Sequence, residues 1–235
     1  MYLFLFKKNE IGGKLLDFSK NVVVFNKKTY LCIRFKKINM AYSKFTLVSV
    51  KKQFGLIDKS VSLFDELELI APSPWLLETL DTTKAVAYFS EKSRSEAIVM
   101  PILVEVRKRN NNSFAIYSGA VLDVDKKQGL NGEIDFILGR SSQNFEVEAP
   151  LFCMVEAKDN DIEVGIGQCV AQMIATRMLN LKEEYNIKHI YGCVTTGEDW
   201  QFIKLEDNTV LLDNRRYYLH NLNEILGVFY RIVAI

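Results

Sequence analysis

The stretch Leu151-Phe-Cys-Met-Val-Glu-Ala-Lys158 leaves this chain few options. Five apolar residues in succession, in a run this short, read as a buried strand. The run then ends in two charges. Side chains alternate along a strand, so Glu156 and Lys158 leave one face while Ala157 turns to the other. Upstream, Glu133-Ile-Asp-Phe-Ile-Leu138 sets Asp135 among hydrophobic residues. Buried charges are unfavourable unless they are paired or bind a metal. Asp135, Glu156 and Lys158 therefore call for one common explanation.

The elements around them follow from periodicity and punctuation. Residues 1–39 read as short apolar strands, Asn21–Phe25 and Tyr30–Phe35, broken by lysine pairs. Residues 40–89 form a mixed, partly helical region in which Phe45–Ile70 shows no clear period. Pro72 and Pro74 then precede a helical stretch over 75–106, with apolar positions Leu76, Leu77, Leu80, Ala85, Val86, Phe89, Ile98, Leu103 and Val106. It divides into two pieces. The second is expected to start near Ser93 or Ser95 as the cap, with Glu96 in its first turn, and to end or kink at Pro101.

After a polar turn at Arg107–Ser113, three strands are expected at Phe114–Val124, Glu133–Leu138 and Leu151–Glu156. A largely apolar helix, Gly165–Tyr185, suits packing on a sheet. Ile190–Thr195 and Trp200–Leu205 read as further strands, and Tyr217–Val233 as an amphipathic helix. The order over residues 90–235 is thus helix, three strands, helix, strand: an α/β core around a central mixed sheet flanked by helices.

Composition narrows the function classes. The chain has 235 residues, 49% hydrophobic and 25% charged, which is an ordinary globular profile. No apolar run reaches the roughly 18–20 residues a membrane span needs, so no membrane partner is expected. The opening MYLFLFKKNE has too short an apolar stretch for a signal peptide and no basic region before it, which predicts a cytoplasmic protein. Cys32, Cys153, Cys169 and Cys193 are scattered without a Cys-x-x-Cys pair, and the histidines are His189 and His220. Neither a zinc site nor a disulfide framework fits that spacing. A metal here would be a hard, oxygen-bound cation such as Mg²⁺.

The net charge of +1 conceals an asymmetry. Residues 1–60 hold thirteen Lys/Arg against three Asp/Glu, and the rest hold seventeen against twenty-six. A basic arm of this kind can contact nucleic-acid phosphates. Met40 also opens a globular sequence, MAYSKFTLV, so residues 1–39 equally read as an extension upstream of the natural start.

In Gly-Glu-Ile-Asp135-Phe, in Glu156-Ala157-Lys158, and in Gln168 of Gly-Ile-Gly-Gln-Cys-Val-Ala-Gln, the chain resembles the PD-(D/E)XK nuclease superfamily. The resemblance covers about residues 90–205. The Pro that gives the motif its first letter is missing, with Ile134 before Asp135. It implies a restriction-endonuclease-like core and a Mg²⁺-dependent endodeoxyribonuclease, with Mn²⁺ as a substitute cation. The usual setting is restriction, defence or mobile-element processing. DNA is the implied partner, and cutting both strands usually needs two sites, hence a possible homodimer. Asp135 and Glu156 would be metal ligands, with the backbone carbonyl of Ala157 supplying another oxygen. Lys158 would sit beside the attacking water, either stabilising negative charge or, with its pKa lowered, acting as a base.

Gln168 would orient Lys158 or the water, and Gln172 lies one turn further along the same helix face. Glu96 looks like the acidic residue many members carry in the helix before the sheet. It would bind a second metal through water or brace the first, although a favourable charge in a helix's first turn explains it as well. Two other readings stand beside the nuclease. One is an inactive nucleic-acid-binding module with the same fold; the other is a structural ion pair of Lys158 with Asp135 or Glu156. The clusters Arg107-Lys-Arg109 and Lys126-Lys127-Gln128 read as solvated turns or phosphate contacts. Trp200 reads as a core residue or a base-stacking one.

Overall fold

Caps explain where the helices begin. Thr46 accepts from the Ser49 amide and Ser49 answers to the Thr46 amide, which starts α1 (Leu47–Phe54). Gly55, in the left-handed region, ends it. Our computed structural model describes residues 41–83, 90–140 and 146–234, together with three short strands within residues 1–39. The chain divides into two units, Met1–Asn39 and Met40–Ile235. In the first, β1 (Leu5–Phe6), β2 (Val22–Val24) and β3 (Tyr30–Cys32) pair antiparallel in the order β1-β3-β2. The remainder of the strands expected at Asn21–Phe25 and Tyr30–Phe35 lies outside the described residues, as do Ala85, Val86 and Phe89.

In the second unit α1 is followed by β4 (Ile57–Val61) and α2 (Pro74–Thr83). A continuous helical path then runs through α3 (Glu91–Arg94), a π-helical stretch (Ser95–Val99) and α4 (Met100–Arg109). Next come β5 (Ala115–Val121), β6 (Glu133–Gly139), β7 (Leu151–Ala157), α5 (Ile162–Lys182), β8 (His189–Thr195), β9 (Asp199–Glu206), β10 (Thr209–Asp213), β11 (Tyr217–Tyr218) and α6 (Leu222–Val233). Among the described residues the strands form one mixed eight-stranded sheet, ordered β4-β10-β9-β8-β7-β6-β5, with β11 also on β9. β7 and β8 are parallel, and α5 is the crossover that parallel neighbours require. The expected α/β architecture with a mixed, helix-flanked sheet is what the chain adopts. No helix among the described residues is long and apolar enough to cross a membrane.

Both faces of the sheet are covered. Met154, Ile190, Val194 and Ile203 pack under α5 with Cys169, Val170 and Met173. Cys153, Val155, Cys193, Trp200 and Phe202 pack on the other side with residues of α4 and α6. That double burial is why β7 carries almost no polar residue.

Four sequence expectations need correcting. The helix before the sheet is capped by Ser90, through a capping box with Ser93, rather than by Ser93 or Ser95. Pro101 does not end it. The Met100 amide reaches back five residues to the Ser95 carbonyl, and Pro101 falls in the first turn of the new α-helical register, where a missing N–H is tolerated. The Ala97 carbonyl, which a regular helix would pair with residue 101, accepts from Thr83 Oγ1 at 3.0 Å. Arg107–Arg109 belong to the last turn of α4 instead of a loop. Finally, the C-terminal helix begins at Leu222, because Tyr217 is recruited into β11 opposite Trp200 and buried against Phe202.

Candidate metal centre

The register between β6 and β7 pairs Phe136 with Val155, so one step further Asp135 stands opposite Glu156. Asp135 Oδ2 accepts the Ala157 amide at 2.8 Å, which ties the two strands together at the site. The chain leaves β7 with the Lys158 amide bonded to the Thr195 carbonyl on β8. Glu156 and Lys158 then meet on the side facing α5. Lys158 Nζ lies 2.6 Å from Glu156 Oε1 and 3.7 Å from Glu91 Oε1.

Glu156 is only 2% exposed, and α5 supplies its remaining partners. Gln168 Nε2 donates to Oε1, and Gln172 Nε2 donates to Oε2 at 2.6 Å. Residues four apart on a helix share a face, which is how one carboxylate receives both amides. Gln168 thus orients Glu156 directly, through the oxygen that Lys158 also holds. Oε2 takes one hydrogen bond and keeps a lone pair for another partner.

Glu96 does not join this group. It borders the same cleft, but its side chain is 70% exposed and 3.8 Å from Lys92 in an i,i+4 pair. The third acid is Glu91, five residues earlier in the first turn of α3. One oxygen each from Glu91, Asp135 and Glu156 come within 4.8 Å of one another. The signal in the sequence was the Ser90…Ser93 pair, which caps the helix so that Glu91 points in. Placing the cap at Ser93 or Ser95 hid it.

The electrostatics follow from three acids sharing one ammonium in a buried place. Burial raises the pKa of Glu156 to about 7, with the charge of Asp135 adding to the effect. Burial also raises Asp135, against the opposing pull of the Ala157 amide and Lys158. Glu91 is raised mainly by burial as well. Lys158 feels burial pulling its pKa down, but Glu156, Glu91 and Asp135 together hold it above the ordinary lysine value. Three ionised carboxylates beside one ammonium leave two negative charges uncompensated. A divalent, oxygen-seeking cation would match that charge and draw all three acids back down. The donor set therefore fits Mg²⁺ or Mn²⁺, which Asp135, Glu156 and Glu91 would hold.

The cluster opens on a cleft of about 680 Å³ between Ser90–Lys92 on one side and Ser118, Gly119, Glu133 and Asp135 on the other, with Asp159 at its edge. A larger groove of about 1120 Å³, lined by residues such as Leu69, Leu77 and Leu222, shares none of the carboxylates and is mainly apolar.

The remaining candidates have structural partners. Arg107 donates to the Phe114 carbonyl, Arg109 to Glu105 and the Ala71 carbonyl, and Lys108 stands over the Trp75 ring. Lys126 pairs with Asp123 at 2.6 Å. Trp200 is fully buried, edge-on to Phe229, so it offers no ring to a base. Cys153, Cys169 and Cys193 are buried free thiols whose pKa values burial pushes up. A scan against protein-family models gives no match for this chain, and a comparison with curated proteins gives none either.

Proposed function

We propose that the chain is a Mg²⁺-dependent endodeoxyribonuclease built on a restriction-endonuclease-like core, with the helix α3–α4, β5, β6, β7, α5 and β8 as that core. The observation that carries the reading is the convergence of Glu91, Asp135 and Glu156 on one point, with the Lys158 ammonium beside two of them and an open cleft lined by Glu91 and Asp135. The resemblance of Asp135, Glu156-Ala157-Lys158 and Gln168 to the PD-(D/E)XK pattern supplies the substrate class, DNA. A bound divalent cation would neutralise phosphate charge and acidify a water molecule.

The chain's own residues have separate tasks. Glu91, Asp135 and Glu156 would hold the cation, while Gln168 and Gln172 fix the rotamer of Glu156. Lys158 stays protonated, since its carboxylate neighbours raise its pKa and a base would need the opposite shift. It orients the attacking water and stabilises negative charge developing on the phosphate.

Supercoiled plasmid incubated with the protein and Mg²⁺ or Mn²⁺ should be nicked or linearised, and chelation should stop it. Lys158→Ala should slow cleavage by about 10²–10³-fold while the protein remains folded, and Asp135→Asn should abolish Mn²⁺ binding in calorimetry. A Lys158→Ala protein as active as its parent would sink the assignment. Linearisation in a single encounter would further support a homodimer, because two sites act on two strands.

A further inference from the structure

We infer that Gly165 is a positioning residue for Lys158: the missing side chain at 165 opens the slot that seats the ammonium between Glu156 and Glu91. The effect on rate rests on the nuclease reading above; the placement of the ammonium does not. Gly165 lies inside α5 at an ordinary helical φ, so backbone conformation gives no reason for a glycine, which is a poor helix former. Space gives the reason. A Cβ built there would fall 3.0 Å from Lys158 Cγ, 3.3 Å from Lys158 Cε and 2.5 Å from Val194 Cγ1. The aliphatic stem of Lys158 therefore lies directly on the bare backbone at 165, beside Val194 of β8.

Other close-packed glycines do something different. A Cβ at Gly167 would strike the backbone of Phe45–Leu47 at the entry to α1, and one at Gly192 would meet the sulfurs of Met173 and Cys169. Those two let elements approach; Gly165 does so too, against Val194 of β8, and in addition makes room for a side chain of the site. A lysine stem is flexible and costly to order. Confined in this slot it is 15% exposed, with Nζ held 2.6 Å from Glu156 and 3.7 Å from Glu91.

The test uses the full chain with Gly165→Ala, Val194→Ala and the double variant. Cleavage kinetics are read with Mg²⁺. The Lys158 ammonium resonance is read by ¹⁵N-lysine NMR, assigned with Lys158→Arg. Gly165→Ala should lower kcat about 10–100-fold, the scale of a misplaced catalytic group, with KM within about twofold, and should shift or broaden the ammonium signal. The double variant removes the contact with Val194 and leaves the one with Lys158, so it should stay slow and keep the altered signal. It also carries the test if the single variant fails to fold. A double variant that recovers the parent's kcat and signal would show that Gly165 serves helix–strand packing only, and would overturn the inference. So would an unchanged ammonium signal in folded Gly165→Ala. If the parent itself cuts no DNA, the nuclease reading falls and the NMR comparison alone decides this one.

Discussion

The two faces of the sheet solve different problems with the same backbone. One face is packed with aromatic rings: Phe202 meets Phe64, Tyr217 and Phe229 at centroid distances of 5.3–5.9 Å, all three edge-on. The hydrophobic cluster gathered there is bordered by two buried carboxylates, Glu105 and Asp213, each held by its own partners, Ser73 and Arg109 for the first and Tyr217 for the second. The other face, under α5, is built of smaller residues and admits polar ones: Glu156, Gln172, Thr176 and Asn180 are all buried. Two of these are ordinary satisfied core groups; Asn180, for instance, clips both the amide and the carbonyl of Leu151. Glu156 is different, since its charge is held in place at a cost. One face supplies the stability that lets the other keep an acid where water would normally be needed.

Breaking the aromatic face should have the largest effect. Phe202→Ala should cost about 3–5 kcal/mol of folding stability in denaturant titrations, the range for truncating a buried Phe. The fraction that stays folded should still cleave DNA. On the α5 face the effects reverse: Lys158→Ala should slow cleavage by about 10²–10³-fold, as removal of one preorganised charge does, while the melting temperature at pH 6 moves little.

The acid itself sharpens the contrast through pH. Glu156 titrates near 7 in the folded chain and near the ordinary glutamate value when unfolded. Between those values the native state holds more protons, so metal-free stability should fall as pH rises from about 4.5 to above 7, by roughly 2–3 kcal/mol. Glu156→Gln should flatten that slope and raise stability at pH 8, at the expense of cleavage. A slope unchanged in Glu156→Gln would mean the acid is not held in the way described. The smallest expected effect is that of Gln172→Leu. It should weaken Mn²⁺ binding by about 10–100-fold and leave the aromatic face untouched; calorimetry against a denaturant melt would separate the two.

The site was partly legible because strand chemistry is local. An apolar run interrupted by Glu156 and Lys158, and another by Asp135, are anomalies visible without a fold, and the i,i+4 spacing of Gln168 and Gln172 already puts them on one face. What stayed hidden was whatever depended on a long-range contact. The π-helical stretch and the Thr83 contact carry the helix past Pro101, and the helix starts at Ser90, so Glu91 takes the place expected of Glu96. Strands β4 and β10 went unread because β4 is a short, exposed edge strand, paired in parallel with a segment about 150 residues away. Its sequence, Ile-Asp-Lys-Ser-Val, carries no periodic signal of its own.

Side-chain patterning was enough for the architecture. Burial of β7 on both faces, the crossover helix and the acids on neighbouring strands all follow from side-chain patterning within a dozen residues. Which carboxylates meet, and which partners hold them, depended on the folded chain. Those choices rest on where a cap falls, how a helix passes a proline, and whether a Cβ has room at position 165. The cap is local, but the other two are settled by contacts between separate elements, where hydrophobic periodicity gives no guidance.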